Sequence, residues 1–331
     1  MRKSLMLTDV SANEAIYCSR LAEEKNLNAI WIPEMSRRDS ISILGAVAAN
    51  TKEIQLAPGI LNVHSRTPAL IAMTLITLQE LSGGRLLAGL SSGNPDYIRD
   101  IHGLSYKQNI DRLRETIAII RKVQSGESIN GYTGNVFAIR NWSPKFQRLQ
   151  SIPLYIGAHN PKMLDLVGEV ADGVILNLVS PRNIMSAKEL IQESARKHSR
   201  KPPFPRIASI IMIAIDNDNP AIAEKRVRKQ IAFYLARSRQ IRKRFARSDY
   251  ADDVAKVESA IAEGRSQDVA DCISNRFVDE IAIYGNKNEV ESRLLEYERA
   301  GLDEAIFYIA GWMGDSREFT RTMLESLFSI A

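Results

Sequence analysis

A chain of 331 residues with 45% hydrophobic and 25% charged side chains has the balance of a globular protein, long enough for one large domain or two ordinary ones. No uninterrupted apolar run approaches the ~18 residues that a membrane helix needs, and no short apolar core followed by small residues marks an export signal, so a cytoplasmic address is expected. The net charge of +5 invites a nucleic-acid reading, but the basic residues gather in one run, 225–247, without aromatic interleaving or a nucleic-acid motif. That run reads as a solvated helix face or a rim that attracts an anionic ligand, so no nucleic-acid partner is expected.

The first strand is expected at residues 4–10. Ser11 with Glu14 three positions later is a capping box, and Ala15, Ile16, Cys18, Leu21 and Ala22 follow at helical spacing until Asn26-Leu27-Asn28. Residues 29–32 form a second strand, 33–39 its exit loop and 40–49 a helix. Two more apolar runs, 54–57 and 86–90, each end in a polar loop with glycine: Pro58-Gly59-Ile60-Leu61-Asn62 and Ser91-Ser92-Gly93-Asn94-Pro95. Between them lies a helix that starts at Thr67-Pro68 and stops at Ser82-Gly83-Gly84. This is a βαβ unit, so its strands are parallel and both loops share the carboxyl edge of one sheet.

Beyond Asn94 the pattern loosens to a helix at 111–124 and a hairpin within 126–142. It resumes with a strand at 153–156, the loop Gly157-Ala158-His159-Asn160-Pro161 and a helix at 162–171. Residues 173–176 read as strand, 181–198 as helix and 207–215 as a β-branched strand. A helical stretch at 220–274 shows no strand signal; a helix at 287–300, a strand at 304–309 and a closing helix at 315–330 complete the chain. Strands near residues 5, 30, 55, 87, 154, 174, 210 and 306 fit an α/β (β/α)8 TIM barrel. It is expected as a single domain, 1–331, with a loop and hairpin insertion at about 95–150 and a helical insertion at about 220–275. The alternative is an open doubly wound sheet, but the first turn, Thr8-Asp9-Val10-Ser11, lacks a dinucleotide glycine fingerprint.

In a barrel the residues just past the strand ends face the site. Gly157, Ala158, His159, Asn160, Pro161 and Lys162 open a helix whose free amides and dipole suit a phosphate. The other reading is an ordinary turn with Pro at the first helical position. Glu34, past the second strand, is a candidate acid or base, or else a surface partner of Arg37 or Arg38. Asn94 is a candidate site amide or a turn residue. His64 follows the third loop and could serve the site or the packing, whereas His102 and His198 look peripheral. Cys18 and Cys272 read as separate thiols. No Cys/His spacing suggests a metal, and G-x-S-x-G is absent.

The stretches APGILNVHSRTPALIAMTLITLQELSGGRLLAGLSSGNPDYI and IPLYIGAHNPKMLDLVGEVADGVILN resemble the luciferase-like flavin and deazaflavin oxidoreductases. Within them the similarity is to the branch that uses coenzyme F420 and includes methylenetetrahydromethanopterin reductase. The resemblance implies a phosphate loop at Gly157–Lys162 and a cis peptide at Gly59–Ile60, with Ile60 behind the ring and Asn62 at its polar edge. It places Ser91, Gly93 and Asn94 among further cofactor and catalytic contacts, and Glu34 at the ring. This chain departs from the relatives at two points. Met35 stands where many carry a polar residue, in some a catalytic His, and Asn94 where the reductases carry an acid. The implied activity is hydride transfer between F420 and an organic substrate, with Glu34 and Asn94 as catalytic candidates. Alternatives are an FMN-dependent monooxygenase or a barrel that binds the cofactor without catalysis. Related barrels pair through early helices, so a homodimer or higher homo-oligomer is expected, with helix 69–81 one candidate surface.

Overall fold

The computed structural model describes residues 1–34, 38–144, 150–311 and 317–328. They group into two compact units. The first comprises Met1–Asn177, Asn183–Ile210 and Gly301–Ile306; the second comprises Leu178–Arg182, Ile211–Ala300 and the chain from Phe307 onward.

The first unit begins with β1 (Arg2–Met6), α1 (Ala12–Glu24), β2 (Ala29–Ile32), α2 (Ser40–Asn50), β3 (Gln55–Pro58), β4 (Leu61–Asn62) and α3 (Pro68–Leu81). It continues through β5 (Ala88–Ser91), α4 (Pro95–Asp100), α5 (Asn109–Gln124), β6 (Ile129–Thr133), β7 (Ala138–Trp142), β8 (Leu154–Gly157), α6 (Pro161–Val170), β9 (Gly173–Asn177), α7 (Pro181–Lys197) and β10 (Arg206–Ile215). The local signals act as expected. Ser11 and Glu14 form the capping box of α1. Thr67 caps α3, and Gly83 and Gly84 end it with φ of +64° and +93°; Asp39, which the sequence placed only in the second exit loop, caps α2.

The second unit holds α8 (Pro220–Arg237), α9 (Arg239–Phe245), α10 (Ala251–Ala262), a 3-10 turn at Ser266–Cys272, α11 (Asn275–Ile281), β11 (Ala282–Gly285) and α12 (Lys287–Arg299). β12 (Glu304–Ile309) and α13 (Arg317–Phe328) follow. Strands β10 and β12 and helix α7 contribute residues to both units.

The parallel strands run in the order β3-β2-β1-β12-β10-β9-β8-β5-β4. β3 and β4 are two pieces of one strand, parted at Gly59 and Ile60. β3 pairs with β2, while Leu56 bridges Leu86 and β4 pairs with β5, so the ring closes on eight strands. Its interior layer holds Met6, Trp31, Ala57, Tyr155, Ile175, Ala208 and Ile306 from seven strands and Leu87 from just before β5, all at most 4% exposed. Trp31 meets Tyr155 edge to face at 5.7 Å, and its indole N–H donates to Glu304 at 2.9 Å. Burying such large rings contributes several kcal/mol, at roughly 25 cal/mol per Å² of apolar surface.

Two elements were not expected. β11 pairs in parallel with β10 at Met212–Ile215, inside the second unit. Its four residues, Ala282-Ile283-Tyr284-Gly285, are too short for periodicity to separate strand from helix end. Helix α4 replaces the turn at Asn94-Pro95. The hairpin is present as the antiparallel pair β6 and β7. No described helix is long and apolar enough to cross a membrane.

Candidate active site at the carboxyl edge

The expected site residues lie on the exit loops of four neighbouring strands in the first unit. The Gly59–Ile60 peptide is cis, as the resemblance implied. Ile60 packs on the carboxyl end of the interior layer. Two glycines give it room. A Cβ on Gly89 would stand 3.0 Å from Ile60 Cγ2 and 2.7 Å from the Pro58 carbonyl, and one on Gly157 would stand 3.3 Å from Ser91 Cβ and 3.7 Å from Ile60 Cγ2. Ile60, Ser91 and Gly157, from three loops, therefore meet at one place.

Asn62 and Gly93 form a second contact. Gly93 has φ +73°, and a Cβ there would lie 3.1 Å from Asn62 Cβ. The Asn62 side-chain oxygen accepts the N–H groups of His64 at 3.1 Å and Ser65 at 2.8 Å, which turns the chain sharply past β4. Ser91 Oγ accepts the Gly93 N–H at 3.1 Å. Asn94 Oδ1 accepts the Asp96 N–H at 2.9 Å, so this side chain caps α4.

On the fifth loop, Gly157 and buried Ala158 lead to exposed His159, Asn160, Pro161 and Lys162. Asn160 Oδ1 accepts the Met163 N–H at 3.0 Å and caps α6, a ten-residue helix. Its exposed amino end carries the partial positive charge that favours an anion, with the Lys162 charge on the first turn.

Glu34 has a partner that the sequence did not suggest. Arg66 donates through Nε to Oε1 at 2.9 Å and through Nη2 to Oε2 at 2.7 Å. The same Nη2 reaches Asp39 Oδ1 at 2.9 Å. Arg38 instead donates to the Asp9 carbonyl at 2.7 Å, while Arg37 and Met35 lie outside the described residues. The hydrogen bond to Glu34 pushes the Arg66 guanidinium above its ordinary range. Burial and the Glu34 charge push the Tyr97 phenol up. Asp39 is partly buried, which works the other way, but the Ser42 hydroxyl, the Ser42 and Ile41 amides and Arg66 together hold its carboxyl below the usual range.

A further cluster joins the third and fourth loops. His64 Nε2 lies 3.0 Å from Asn109 Oδ1, and its ring stacks on Tyr106 at 5.0 Å. Tyr106 donates to the Gly93 carbonyl at 3.1 Å, which makes the Ser92 hydroxyl, 2.9 Å away, the donor to the phenol oxygen. Burial pushes the His64 imidazole below its ordinary range, and the Arg112 charge acts in the same sense against the Asn109 hydrogen bond. Arg66 and Tyr106 were missed by sequence reasoning. Arg66 precedes a helix start, the one signal available, and Tyr106 sits where no period was legible.

The basic run spans α8, α9 and the turn that follows α9, in the second unit. Arg228 is bound to Glu224, the Ile273 carbonyl and Asn275, Arg242 to Glu258 and two carbonyls, and Arg244 to the Leu178 carbonyl. Lys225, Lys229, Arg239, Lys243 and Arg247 are exposed. Among the described residues no group of three or more His, Cys, Asp or Glu side chains could hold a metal.

The sequence model of the Luciferase-like monooxygenase family matches residues 2–304. The chain is 30% identical over 303 residues to a 5,10-methylenetetrahydromethanopterin reductase of Archaeoglobus fulgidus, covering 90% of each chain. It is 30% identical over 292 residues to the enzyme of that name from Methanolobus tindarius, covering 87% of each. In fold it is similar to a coenzyme F420-dependent tetrahydromethanopterin reductase from Methanopyrus kandleri, with a TM-score of 0.87 and 22% identity over all of this chain and 98% of that one. With an eight-stranded parallel ring, candidate residues on its carboxyl edge and a family match along nearly its whole length, the chain belongs to the luciferase-like monooxygenase family, as an oxidoreductase of the branch that includes the F420-dependent reductases.

Proposed function

We propose that this chain transfers hydride between coenzyme F420 and a small organic substrate. The observation that carries the reading is the meeting of Ile60, Ser91 and Gly157 at the barrel mouth beside the amino end of α6. Two glycines there keep the wall low, which suits a flat ring lying across the mouth. Ile60 would support the rear of the ring, leaving its front to the substrate. The amino end of α6, with Gly157, Ala158, His159, Asn160, Pro161 and Lys162, would take the phosphate.

Bound there, the deazaflavin would supply the hydride chemistry. The chain's own residues would bind, orient and exclude water. Asn62 spends its side-chain oxygen on the loop, which leaves its amide N–H groups for a ring carbonyl. Asn94 caps α4, while Ser91 Oγ holds the Gly93 N–H beside it. An amide at position 94 cannot act as a proton donor of the acid type, so its part would be hydrogen bonding. Glu34 would face the ring from the second loop. The relatives named as reductases of a methylene-bearing pterin support a substrate with a reducible one-carbon or carbonyl-like centre. A homo-oligomeric assembly and a cytoplasmic address accompany this reading.

The test is a fluorescence-quenching titration of the purified protein with F420 and FMN side by side. Tight F420 binding with weak FMN binding is the expected result. The reverse would move the chain to the FMN-dependent monooxygenases of its family, and binding of neither would overturn the cofactor assignment.

A further inference from the structure

We infer that Arg66 is a positioning residue that acts through Glu34, holding that carboxylate at the mouth as a fixed hydrogen-bond acceptor. Three features carry this. The fork is bidentate, Nε to Oε1 and Nη2 to Oε2, so the carboxylate plane is set by the planar guanidinium rather than by its own free rotation. The pair is mostly shielded, with side-chain exposures of 13% for Glu34 and 19% for Arg66, against 43% for Asp39. At such shielding a charge pair is far less screened by salt than at the surface. Arg66 also spans two loops. It directly precedes Thr67, the cap of α3, and its Nη2 bonds Asp39, the cap of α2, so Glu34 is referenced to two helix ends at once.

The arrangement assigns Glu34 a role that its position alone leaves open. A carboxylate gripped on both oxygens by a guanidinium, with the Ser40 hydroxyl 3.4 Å from Oε2, is built to accept hydrogen bonds in one direction. It is not built to swing between partners as a proton carrier. The remaining acceptor capacity of the two oxygens then serves an N–H group of a bound ring. Lysine would not replace Arg66 fully, since a point charge holds one oxygen rather than two.

This inference rests on the proposed placement of Glu34 at the ring, and a double-mutant cycle separates the two. F420 is titrated by fluorescence quenching into the wild type, Arg66→Gln, Arg66→Lys, Glu34→Gln and the double variant Arg66→Gln/Glu34→Gln. The two Gln variants are each expected to weaken F420 binding about tenfold or more, the size of a charge-assisted hydrogen bond, and the double variant by no more than either alone. Arg66→Lys is expected to fall between wild type and Arg66→Gln, and it keeps the test open if Arg66→Gln does not fold. Additive losses would overturn the inference, since Arg66 would then act independently of Glu34. Unchanged binding in either single Gln variant, with the wild type binding F420, would also overturn it. Failure of the wild type to bind F420 would instead count against the proposed cofactor.

Discussion

The carboxylate of Glu115 fills the space that a side chain on Gly134 would need. A Cβ on Gly134 would lie 2.3 Å from Glu115 Oε2 and 2.7 Å from Oε1. From α5 this carboxylate accepts the N–H groups of Asn135 at 2.7 Å, Val136 at 3.1 Å and Phe137 at 2.9 Å, all in the β6–β7 turn. The hairpin is thus pinned to the barrel through one buried side chain. Glu115→Ala would strand these amides, and a destabilisation of about 2–4 kcal/mol is expected. Hydrogen exchange should show the loss at residues 135–137 before the rest of the chain. Gly134→Ala should also destabilise, and its cost should shrink in the Glu115→Ala background, because the atoms that it clashes with are gone.

Two glycines at the mouth should separate stability from binding. Gly89→Ala places a methyl 2.7 Å from a backbone oxygen and 2.9 Å from Ile175 Cδ1, where little can yield. A loss of about 1–3 kcal/mol in thermal or denaturant unfolding is expected. Gly157→Ala meets Ser91 Cβ at 3.3 Å, a contact that a small shift relieves. Its melting temperature should stay near that of the wild type while its F420 dissociation constant rises several-fold. Equal loss of stability in both variants would contradict the assignment.

His64 makes stability depend on pH in a defined sense. Burial lowers its pKa in the folded chain below the ordinary 6.5, so the unfolded chain binds more protons in the window between the two values. The stability it contributes is therefore fully present above 6.5 and is lost as pH falls through that value toward and past the folded pKa. His64→Gln should flatten this part of the curve of melting temperature against pH. Proton NMR of the four histidines, with this variant for assignment, should find the His64 resonance titrating below 6.5. A midpoint at or above that value would sink the prediction.

Five exposed charges of the basic run, on α8, α9 and the turn after α9, are expected to act at long range. Replacing Lys225, Lys229, Arg239, Lys243 and Arg247 by Gln removes five charges and brings the formal net charge from +5 to zero. Association with polyanionic F420 should then slow at low ionic strength and converge on the wild-type rate near 0.15 M salt, where the Debye length is about 8 Å. Stopped-flow fluorescence at two salt concentrations measures this. A difference that persists at high salt would mean direct contact rather than steering.

The ring was legible because its signals are local. Short apolar runs near residues 30, 55 and 154, each followed by a polar loop and a helix, read as buried strands, and Ser11 with Glu14, or Thr67 with Pro68, marked helix starts by side-chain caps three residues apart. The same locality explains the misses. β11 is a strand because β10 offers it a parallel edge, a fact absent from its own four residues. The candidate loops were legible as well, since position past a strand end follows from the order of elements. The cis peptide at Gly59 came from the resemblance and not from any spacing.

By itself, then, the sequence determined the order of the eight ring strands, the place of Gly157 and the amino end of α6, since each depends on residues adjacent in the chain. Only the tertiary structure decided the partners. Arg66 finds Glu34 across 32 residues and Trp31 finds Glu304 across 273, while the Glu115 carboxylate lies under a turn twenty residues away. The physical reason is that charges and hydrogen-bond donors carry no periodicity. What pairs them is the packing of the folded chain, which brings side chains from distant segments within hydrogen-bond reach of one another.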